Sequence, residues 1–305
     1  MKPTILAAMA TWVVCSMLCG VTSKQLLSGL PCPYTLTAAQ MTVAYACHMG
    51  YERWRRQPVA PGVTLSDATQ LTLLCSALAF SIGISCLNGG FGLMHVSISE
   101  TLRALEPLIT VFMATTCLSN EAQVSRLRML ALLPIICGVG LSAKHNAAFH
   151  FLGFAMVMVA NVVFPIRSLL VKQLQRTLPL DYIFSMTLGY GMLFQWLGMG
   201  VSWAFGGPLG GLFNAKQALL SLANGCAFYA YHIASYSVLH QTDMTTHAVV
   251  NALRRVLTIL FSVYCFQVPL ALGNALGMVI ACAGALMYAY ALRQESRLLV
   301  AYDSI

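Results

Sequence analysis

Long apolar runs recur along the whole chain, and short polar connections separate them. Each run has about the 17–25 residues that an α-helix needs to cross the hydrocarbon core of a membrane. The runs lack the strict alternation of apolar and polar residues that a membrane β-barrel requires. The pattern therefore predicts an all-α polytopic membrane protein with ten transmembrane helices. The predicted segments are residues 4–23, 34–51, 69–91, 93–118, 128–145, 150–172, 180–206, 214–239, 246–266 and 270–292.

The composition supports a membrane protein. Hydrophobic residues make up 58% of the 305 residues and charged residues only 9%, whereas soluble domains average roughly 25% charged. So few charged side chains cannot cover a water-facing surface. This excludes a typical soluble enzyme, a disordered chain and a secreted disulfide scaffold. We expect no enzyme activity, no cofactor and no metal site, and the absence of a Gly-Lys dipeptide removes the nucleotide loop of an ATP-driven pump.

The net charge of +8 would usually suggest nucleic acid as a partner, but the location of the basic residues indicates topology instead. Ten helices place both termini on one side. That side has ten basic residues, and the opposite side has three, Lys24, Lys144 and Lys216. The positive-inside rule therefore predicts cytosolic termini. The expected partners are the lipid bilayer and small molecules, not nucleic acid, and the protein is expected to be a monomer. The ten residues are Lys2, Arg53, Arg55, Arg56, Arg126, Arg128, Lys172, Arg176, Arg293 and Arg297.

An internal repeat relates the two halves of the chain at an offset of 148 residues. Residues 24–34 (KQLLSGLPCPY) and 172–182 (KQLQRTLPLDY) agree at six of eleven positions, and 104–110 (ALEPLIT) resembles 252–258 (ALRRVLT) at the same offset. Because five helices per copy is an odd number, the second copy inserts upside down. We therefore predict two inverted five-helix repeats, 1–148 and 149–305. Secondary transporters often have this architecture, with the substrate site between the repeats near the midplane.

Charged residues inside the predicted helices need a partner or a function, because a charge at the bilayer centre costs on the order of 2.5–3.5 kcal/mol. Glu100 and Glu106 flank Arg103 by three residues each, so all three share one helix face, as a structural ion cluster or as part of a site. The ninth predicted helix has no acidic residue near Arg254 and Arg255, so their partner must be another helix or a ligand. The complete set is Glu100, Arg103, Glu106, Arg167, Arg254 and Arg255.

The six charges sum to +2 inside the membrane, which a dianion such as a phosphate ester would offset. Arginine suits phosphate because its fork makes two parallel charged hydrogen bonds. Other polar residues share helix faces and either line the same site or only hydrogen-bond neighbouring helices. These are Ser81, Ser85 and Asn88; Asn161, Phe164 and Arg167; Tyr231; and His247, Asn251 and Arg255.

Several segments, taken in order, resemble the triose-phosphate/phosphate translocator family of the drug/metabolite transporter superfamily. They are residues 31–40 (PCPYTLTAAQ), 96–107 (VSISETLRALEP), 133–139 (LPIICGV), 161–172 (NVVFPIRSLLVK) and 246–256 (THAVVNALRRV). The likeness begins at Lys24 and covers nearly the whole chain. It implies a sugar-phosphate transporter of ten helices in a plastid-type envelope or a Golgi or endoplasmic-reticulum membrane.

The resemblance also implies roles for single residues. A lysine before Glu-Pro and a Lys-Arg pair, which hold the phosphate in the family, correspond to Arg103, Arg254 and Arg255. The family's tyrosine 23 residues before that pair corresponds to Tyr231, and its aromatic residue on the sixth helix to Phe164.

Two departures from the family pattern concern the substrate. A histidine and a threonine that would contact the organic part are replaced by Ile84 and Leu87, beside Asn88. A second histidine is replaced by Glu100. Phosphate binding is therefore expected to be kept, whereas selectivity for a three-carbon phosphate is expected to be poor. Glu106, Arg167, His247 and Asn251, with Glu100, form a secondary group around the predicted site.

Three functions remain open at this point. The first is an antiporter that exchanges a phosphorylated organic compound for inorganic phosphate. The second is a nucleotide-sugar transporter of the endomembrane system, and the third is a membrane protein that transports nothing and uses its arginines to hold helices together.

Overall fold

The computed structural model describes residues 3–29, 32–55, 65–117, 125–145, 149–206, 214–242, 244–268 and 271–303. Within these ranges the chain forms eleven α-helices and no strand. The predicted boundary between the repeats, after residue 148, and the predicted helix ends at 118 and 270 lie outside the described residues. The helices are α1 (Pro3–Gly29), α2 (Pro33–Arg55), α3 (Asp67–Leu93), α4 (Val96–Arg103), α5 (Glu106–Cys117), α6 (Arg126–Lys144), α7 (Phe151–Leu174), α8 (Leu180–Ala204), α9 (Ala215–Gln241), α10 (Met244–Phe266) and α11 (Leu272–Asp303).

Six helical segments of the described chain are long and apolar enough to cross a membrane. Two of the remaining helices, α2 and α9, contain the fully buried amides Gln40 and Asn224, which hydrogen-bond each other. Such interior amides lower the hydropathy of a helix without facing lipid. The number of ten spans therefore stays a prediction. The six segments are Thr4–Gly29, Asp67–Leu93, Arg126–Lys144, Phe151–Leu174, Val249–Phe266 and Leu272–Glu295.

Large apolar side chains lie on the outside of the helix bundle. Phe112, Leu133, Val279 and Leu197 are all more than half exposed, while serines, amides and arginines are buried between the helices. A soluble protein seldom exposes so much apolar surface. This distribution suits a bundle that has lipid around it and polar groups within it.

The fourth predicted helix, 93–118, corresponds to two helices in the structure, α4 and α5, because the helix is interrupted between Arg103 and Glu106. Pro107 has no N–H to donate to the carbonyl oxygen of Arg103, four residues earlier, and a proline ring obstructs that turn. Two side chains occupy the exposed carbonyls: Asn161 Nδ2 donates to Leu102 O at 2.9 Å, and Arg255 donates to Arg103 O. The break is thus held by residues of α7 and α10.

Other helices extend beyond their apolar segments. Helix α1 continues to Gly29, and Lys24 near its end donates to the carbonyl oxygens of Phe91 (2.8 Å) and Met94 (2.9 Å) at the end of α3. Helix α11 continues to Asp303. In this extension Glu295 Oε2 pairs with Arg128 Nη2 at 2.6 Å. Apolar length alone places these ends too early, because polar side chains with partners prolong the helices.

Glycines allow α6 and α11 to pack in close contact. A Cβ built at Gly138 would overlap the backbone of Ala281 and Gly277, and one at Gly277 would overlap the backbone of Ser142. Ser142 Oγ also donates to Asn274 Oδ1 at 2.7 Å. Small residues at such contacts, with polar groups bonded across them, are typical of helix pairs in membranes.

Helices from the two halves of the chain pack mainly on each other. Helix α1 lies against α9 and α10, α3 against α7 and α8, and α2 against α8 and α9. Helix α4 lies against α10, and α6 against α11. A cavity is left where α1, α2, α3, α4, α9 and α10 meet.

We predict that Gly138→Ala destabilises the protein by about 1–3 kcal/mol, because its methyl group needs space that the α11 backbone occupies. Gly140→Ala is the matched control, since no heavy atom lies within 4 Å of a Cβ there. Thermal unfolding of both variants in detergent measures the difference. Equal stability of the two variants would contradict the close contact between α6 and α11.

Candidate functional site

The cavity contains about 390 Å³ of space free of protein atoms, its mouth included. One wall has charged and phenolic groups, from Glu100 and Arg103 on α4, Tyr231 on α9 and Arg254 on α10. A second wall is apolar, and a third has buried amides and hydroxyls. The apolar wall includes Ile84, Leu87, Phe91 and Phe228, and the polar one Ser16, Ser23, Gln40 and Asn88.

Arg103 lines the cavity at the end of α4, immediately before the helix break. Its Nη1 lies 3.6 Å from Glu100 Oε1, and its Nη2 lies 3.4 Å from Glu106 Oε2. Its guanidinium lies over the ring of Phe164, 5.2 Å from the centroid. The long distances to both carboxylates, and an Nε without a hydrogen-bond partner among the described residues, leave hydrogen-bonding capacity for a ligand.

Arg254 also lines the cavity, and it is 8% exposed. Its Nε and Nη2 both donate to Asn251 Oδ1 at 3.1 Å. No carboxylate lies within ion-pair distance of it in the part of the chain that the structure describes. A buried cation without an anion is costly, and an anionic ligand in the cavity would compensate it. Asn251 orients this guanidinium through the two hydrogen bonds.

Arg255, unlike Arg254, is not among the residues that line the cavity. It donates to the carbonyl oxygen of Arg103 and forms an ion pair with Glu106, whose Oε2 also faces Arg103. The two arginines that the sequence predicts as one phosphate site thus have different surroundings. Arg254 faces the cavity, whereas Arg255 has its partner on another helix and holds the break between α4 and α5.

Glu100 is the acidic residue of the cavity wall. It is 3% exposed, and its Oε2 has no hydrogen-bond partner among the described residues. The structure therefore places a carboxylate next to Arg103, inside a space that positive charge otherwise dominates. Tyr231 lines the same wall, with its ring against Phe228 at 5.5 Å between centroids.

The organic-moiety residues predicted from the sequence divide into two groups. Ile84, Leu87 and Asn88 line the cavity. Phe164 is not part of the lining; it supports Arg103 from behind. Its ring occupies the space where Gly83 lacks a side chain, since a Cβ there would lie 2.7 Å from Phe164 Cε1.

The sequence singled out Asn88 but not Gln40 and Asn224, which form an amide cluster with it beside the cavity. Gln40 Nε2 donates to Asn224 Oδ1 at 2.7 Å, and Asn88 Nδ2 donates to Gln40 Oε1 at 2.8 Å and to Thr37 Oγ1 at 2.9 Å. Asn224 Nδ2 then donates to Ser23 Oγ at 3.0 Å. The available signal was an amide inside an apolar segment, which in a membrane marks an interior position.

Four predicted secondary residues are not part of the cavity lining: Glu106 and Asn251, whose contacts with the arginines are described above, and Arg167 and His247. Arg167 Nη2 donates to the hydroxyl of Tyr236 at 2.6 Å, and its guanidinium lies over the Phe80 ring at 4.2 Å. His247 stacks on Trp12 and faces Ser235 Oγ at 3.1 Å. Both are held by contacts between helices.

The serine stripe of α3 also joins helices. Ser81 Oγ donates to the Gly191 carbonyl at 3.2 Å, and Ser85 Oγ donates to Gln195 Oε1 at 2.9 Å. These bonds join α3 to α8, so the two serines hydrogen-bond a neighbouring helix, as one of the two alternatives from the sequence had it. Asn88 differs from the two serines because it reaches the cavity.

Comparison with known proteins gives a consistent result over nearly the whole chain. The model of the Triose-phosphate Transporter family matches residues 4–289. The chain is 28% identical over 298 residues to the chloroplastic phosphoenolpyruvate/phosphate translocator 3 of Oryza sativa subsp. japonica, covering 92% of this chain and 73% of that protein. It is 25% identical to the chloroplastic triose phosphate/phosphate translocator of Solanum tuberosum, covering 92% and 68%.

A solved crystal structure of another protein has the same fold. It superposes with a TM-score of 0.61 at 14% sequence identity, over 96% of this chain and 99% of that one. At this identity the likeness concerns the fold alone.

We predict that Arg255→Gln destabilises the protein far more than Arg254→Gln. The first change leaves Glu106 with only the longer contact to Arg103, and breaking a buried ion pair costs about 3–5 kcal/mol. The second change removes a cation that has no acidic partner. Thermal unfolding in detergent compares the two, and Arg255→Gln with Glu106→Gln should recover part of the loss. A larger loss for Arg254→Gln would show that these assignments are reversed.

Proposed function

We propose that this chain, which belongs to the Triose-phosphate Transporter family, exchanges a phosphorylated organic compound for inorganic phosphate. The observation that carries the proposal is Arg254, a buried cation that faces the cavity and has no acidic partner among the described residues. Arg103 and Tyr231 stand on the same wall. A phosphate group with two negative charges provides the acceptors that these side chains need.

The proposed phosphate pocket is formed by Arg103, Arg254 and Tyr231. Arg254 uses two of its nitrogens on Asn251, which leaves Nη1 for the anion. Arg103 holds its carboxylate partners at 3.4–3.6 Å, so it can shift towards a phosphate without first breaking a short hydrogen bond. Arg255 acts indirectly in this proposal, since it holds the helix break on which Arg103 is mounted.

Exchange rather than one-way flow follows from the charge of Arg254. The two inverted repeats, 1–148 and 149–305, are proposed to rock around the cavity, which lies between helices of both. The reciprocal packing of α1 on α9 and of α3 on α7 supports this arrangement. With the anion bound, the positive charge is compensated and the repeats can move; in the empty carrier the unpaired Arg254 opposes the movement.

The proposed location is an organelle membrane that the chain crosses ten times, with both termini on the cytosolic side. The translocators from rice and potato that it resembles are chloroplastic proteins, which supports a plastid-type envelope. A Golgi or endoplasmic-reticulum membrane is the location that the nucleotide-sugar alternative requires.

The decisive experiment is transport by purified protein in liposomes loaded with phosphate. Exchange of phosphate against phosphoenolpyruvate or another phosphorylated compound supports the proposal. Exchange of a nucleotide monophosphate instead would favour a nucleotide-sugar transporter. Absence of flux with every internal substrate would favour a membrane protein that does not transport.

For Arg254 we predict that Arg254→Ala abolishes exchange of labelled phosphate and leaves a folded, inserted protein. Charged hydrogen bonds contribute about 1.5–3 kcal/mol each, so the loss of one weakens binding by roughly ten- to a hundredfold. Arg254→Lys keeps the charge without the fork and should retain partial activity. The matched control is Arg176→Ala, at an exposed arginine between α7 and α8. Parental exchange by Arg254→Ala would refute the site.

For the apolar wall we predict that Ile84→His with Leu87→Thr improves competition by triose phosphates against labelled phosphate. Both aliphatic side chains are buried in the cavity lining, where a substrate hydroxyl finds no donor or acceptor. An unsatisfied buried polar group costs about 1–3 kcal/mol, or roughly tenfold to a hundredfold in affinity. Strong competition by triose phosphates in the unmodified protein would contradict this role for Ile84 and Leu87.

A further inference from the structure

Glu100 occupies a position where a phosphate carrier has no obvious use for a negative charge. Its carboxylate lines the cavity beside Arg103, with Oε1 at 3.6 Å from Nη1, and the side chain is almost completely buried. Its Oε2 has no hydrogen-bond partner among the described residues. A bound phosphate would have to share both Arg103 and the cavity with this carboxylate.

The charges around the cavity do not match a dianion while Glu100 is ionised. Arg255 and Glu106 compensate each other outside the cavity. Inside it, Arg103 and Arg254 together with ionised Glu100 give a net charge of +1, so a phosphate dianion would leave one negative charge uncompensated. With Glu100 neutral, the two arginines balance the dianion completely.

We propose that Glu100 is a proton-binding site coupled to the transported anion. On loading, a proton from water on that side bonds to a Glu100 carboxylate oxygen, and Arg103 transfers from the carboxylate to the phosphate. The new O–H can donate to a phosphate oxygen. On release at the other side the proton returns to water, and ionised Glu100 again faces Arg103. This inference rests on the proposed function and adds a proton as the co-transported ion.

The other charged or titratable groups around Glu100 belong to five helices, α1, α4, α5, α9 and α10. The arginines remain charged at all relevant pH values, and Glu106 is held between two of them. Glu100 is therefore the carboxylate of this group whose compensation changes when the anion arrives. The groups are Arg103, Glu106, Arg254, Arg255, Tyr231 on α9 and Cys19 on α1.

The test compares phosphate affinity of the unmodified protein and of Glu100→Gln from about pH 6 to about pH 9. Because phosphate itself binds a proton in this range, displacement of labelled phosphate by sulfate, which stays a dianion, is measured as well, and a ratio of dissociation constants that changes for sulfate too assigns the proton to Glu100. Uptake of one proton with the anion makes affinity fall by up to about tenfold per pH unit. We expect the affinity of the unmodified protein, relative to Glu100→Gln, to fall as pH rises.

Three results separate the possible outcomes. A ratio that does not change with pH would overturn the proton site, since a purely structural Glu100–Arg103 pair alters affinity by a constant factor. Absence of phosphate binding by both proteins would instead contradict the proposed function. The control is Asp67→Asn, at an exposed carboxylate at the start of α3; its phosphate affinity should depend on pH as that of the unmodified protein does. If Glu100→Gln does not fold, Glu100→Met takes its place.

Discussion

The pairing of charge inside an apolar helix bundle is the constraint on which the rest of the structure depends. Each buried arginine needs a partner, because an uncompensated charge in this environment is costly. Arg255 has Glu106, Arg103 has Glu100 at longer range, and Arg167 has the Tyr236 hydroxyl and the Phe80 ring. Arg254 donates to the neutral amide of Asn251 and has no carboxylate within ion-pair distance among the described residues. The distribution of partners thus separates the arginines that are paired within the protein from Arg254, which the proposal assigns to the ligand.

The break between α4 and α5 connects this charge pattern with the backbone. Pro107 cannot donate the helical hydrogen bond to the carbonyl oxygen of Arg103, and Arg255 donates to that oxygen instead. Asn161 donates to the carbonyl oxygen of Leu102, which also accepts the N–H of Leu105, so α7 and α10 are tied to the end of α4. Arg103 is the last residue of α4, and its position therefore depends on the same contacts. A change at the break alters the cavity even where no cavity residue is changed.

Much of the helix pattern could be predicted from the sequence, because long apolar runs report the membrane thickness. The division of the fourth segment was missed although Pro107 lies inside it, because apolar residues continue on both sides of the proline. In the structure Pro107 is the second residue of α5, and a proline is tolerated in the first turn of a helix. The different directions of Arg254 and Arg255 could not be predicted, because neighbouring residues on one helix point about 100° apart and only the packed structure shows what each one meets. The amides Gln40 and Asn224 were missed because they lie far apart in the chain and meet only in the fold.

The chemistry left for a substrate is narrower than the number of polar residues around the cavity suggests. The amide groups of Gln40 and Asn224 hydrogen-bond each other and hydroxyls of α1. The hydroxyl groups of Ser81 and Ser85 donate to acceptors on α8. The charged wall, with Arg103, Arg254, Glu100 and Tyr231, therefore offers most of the polar groups that a ligand could contact. The rest of the lining includes aliphatic and aromatic side chains, which offer contact area but no hydrogen bonds. If the proposed anion site is correct, the charged residues hold the anionic group and the apolar residues select the rest of the molecule by fit, so small changes among the apolar residues should alter substrate choice more than anion binding.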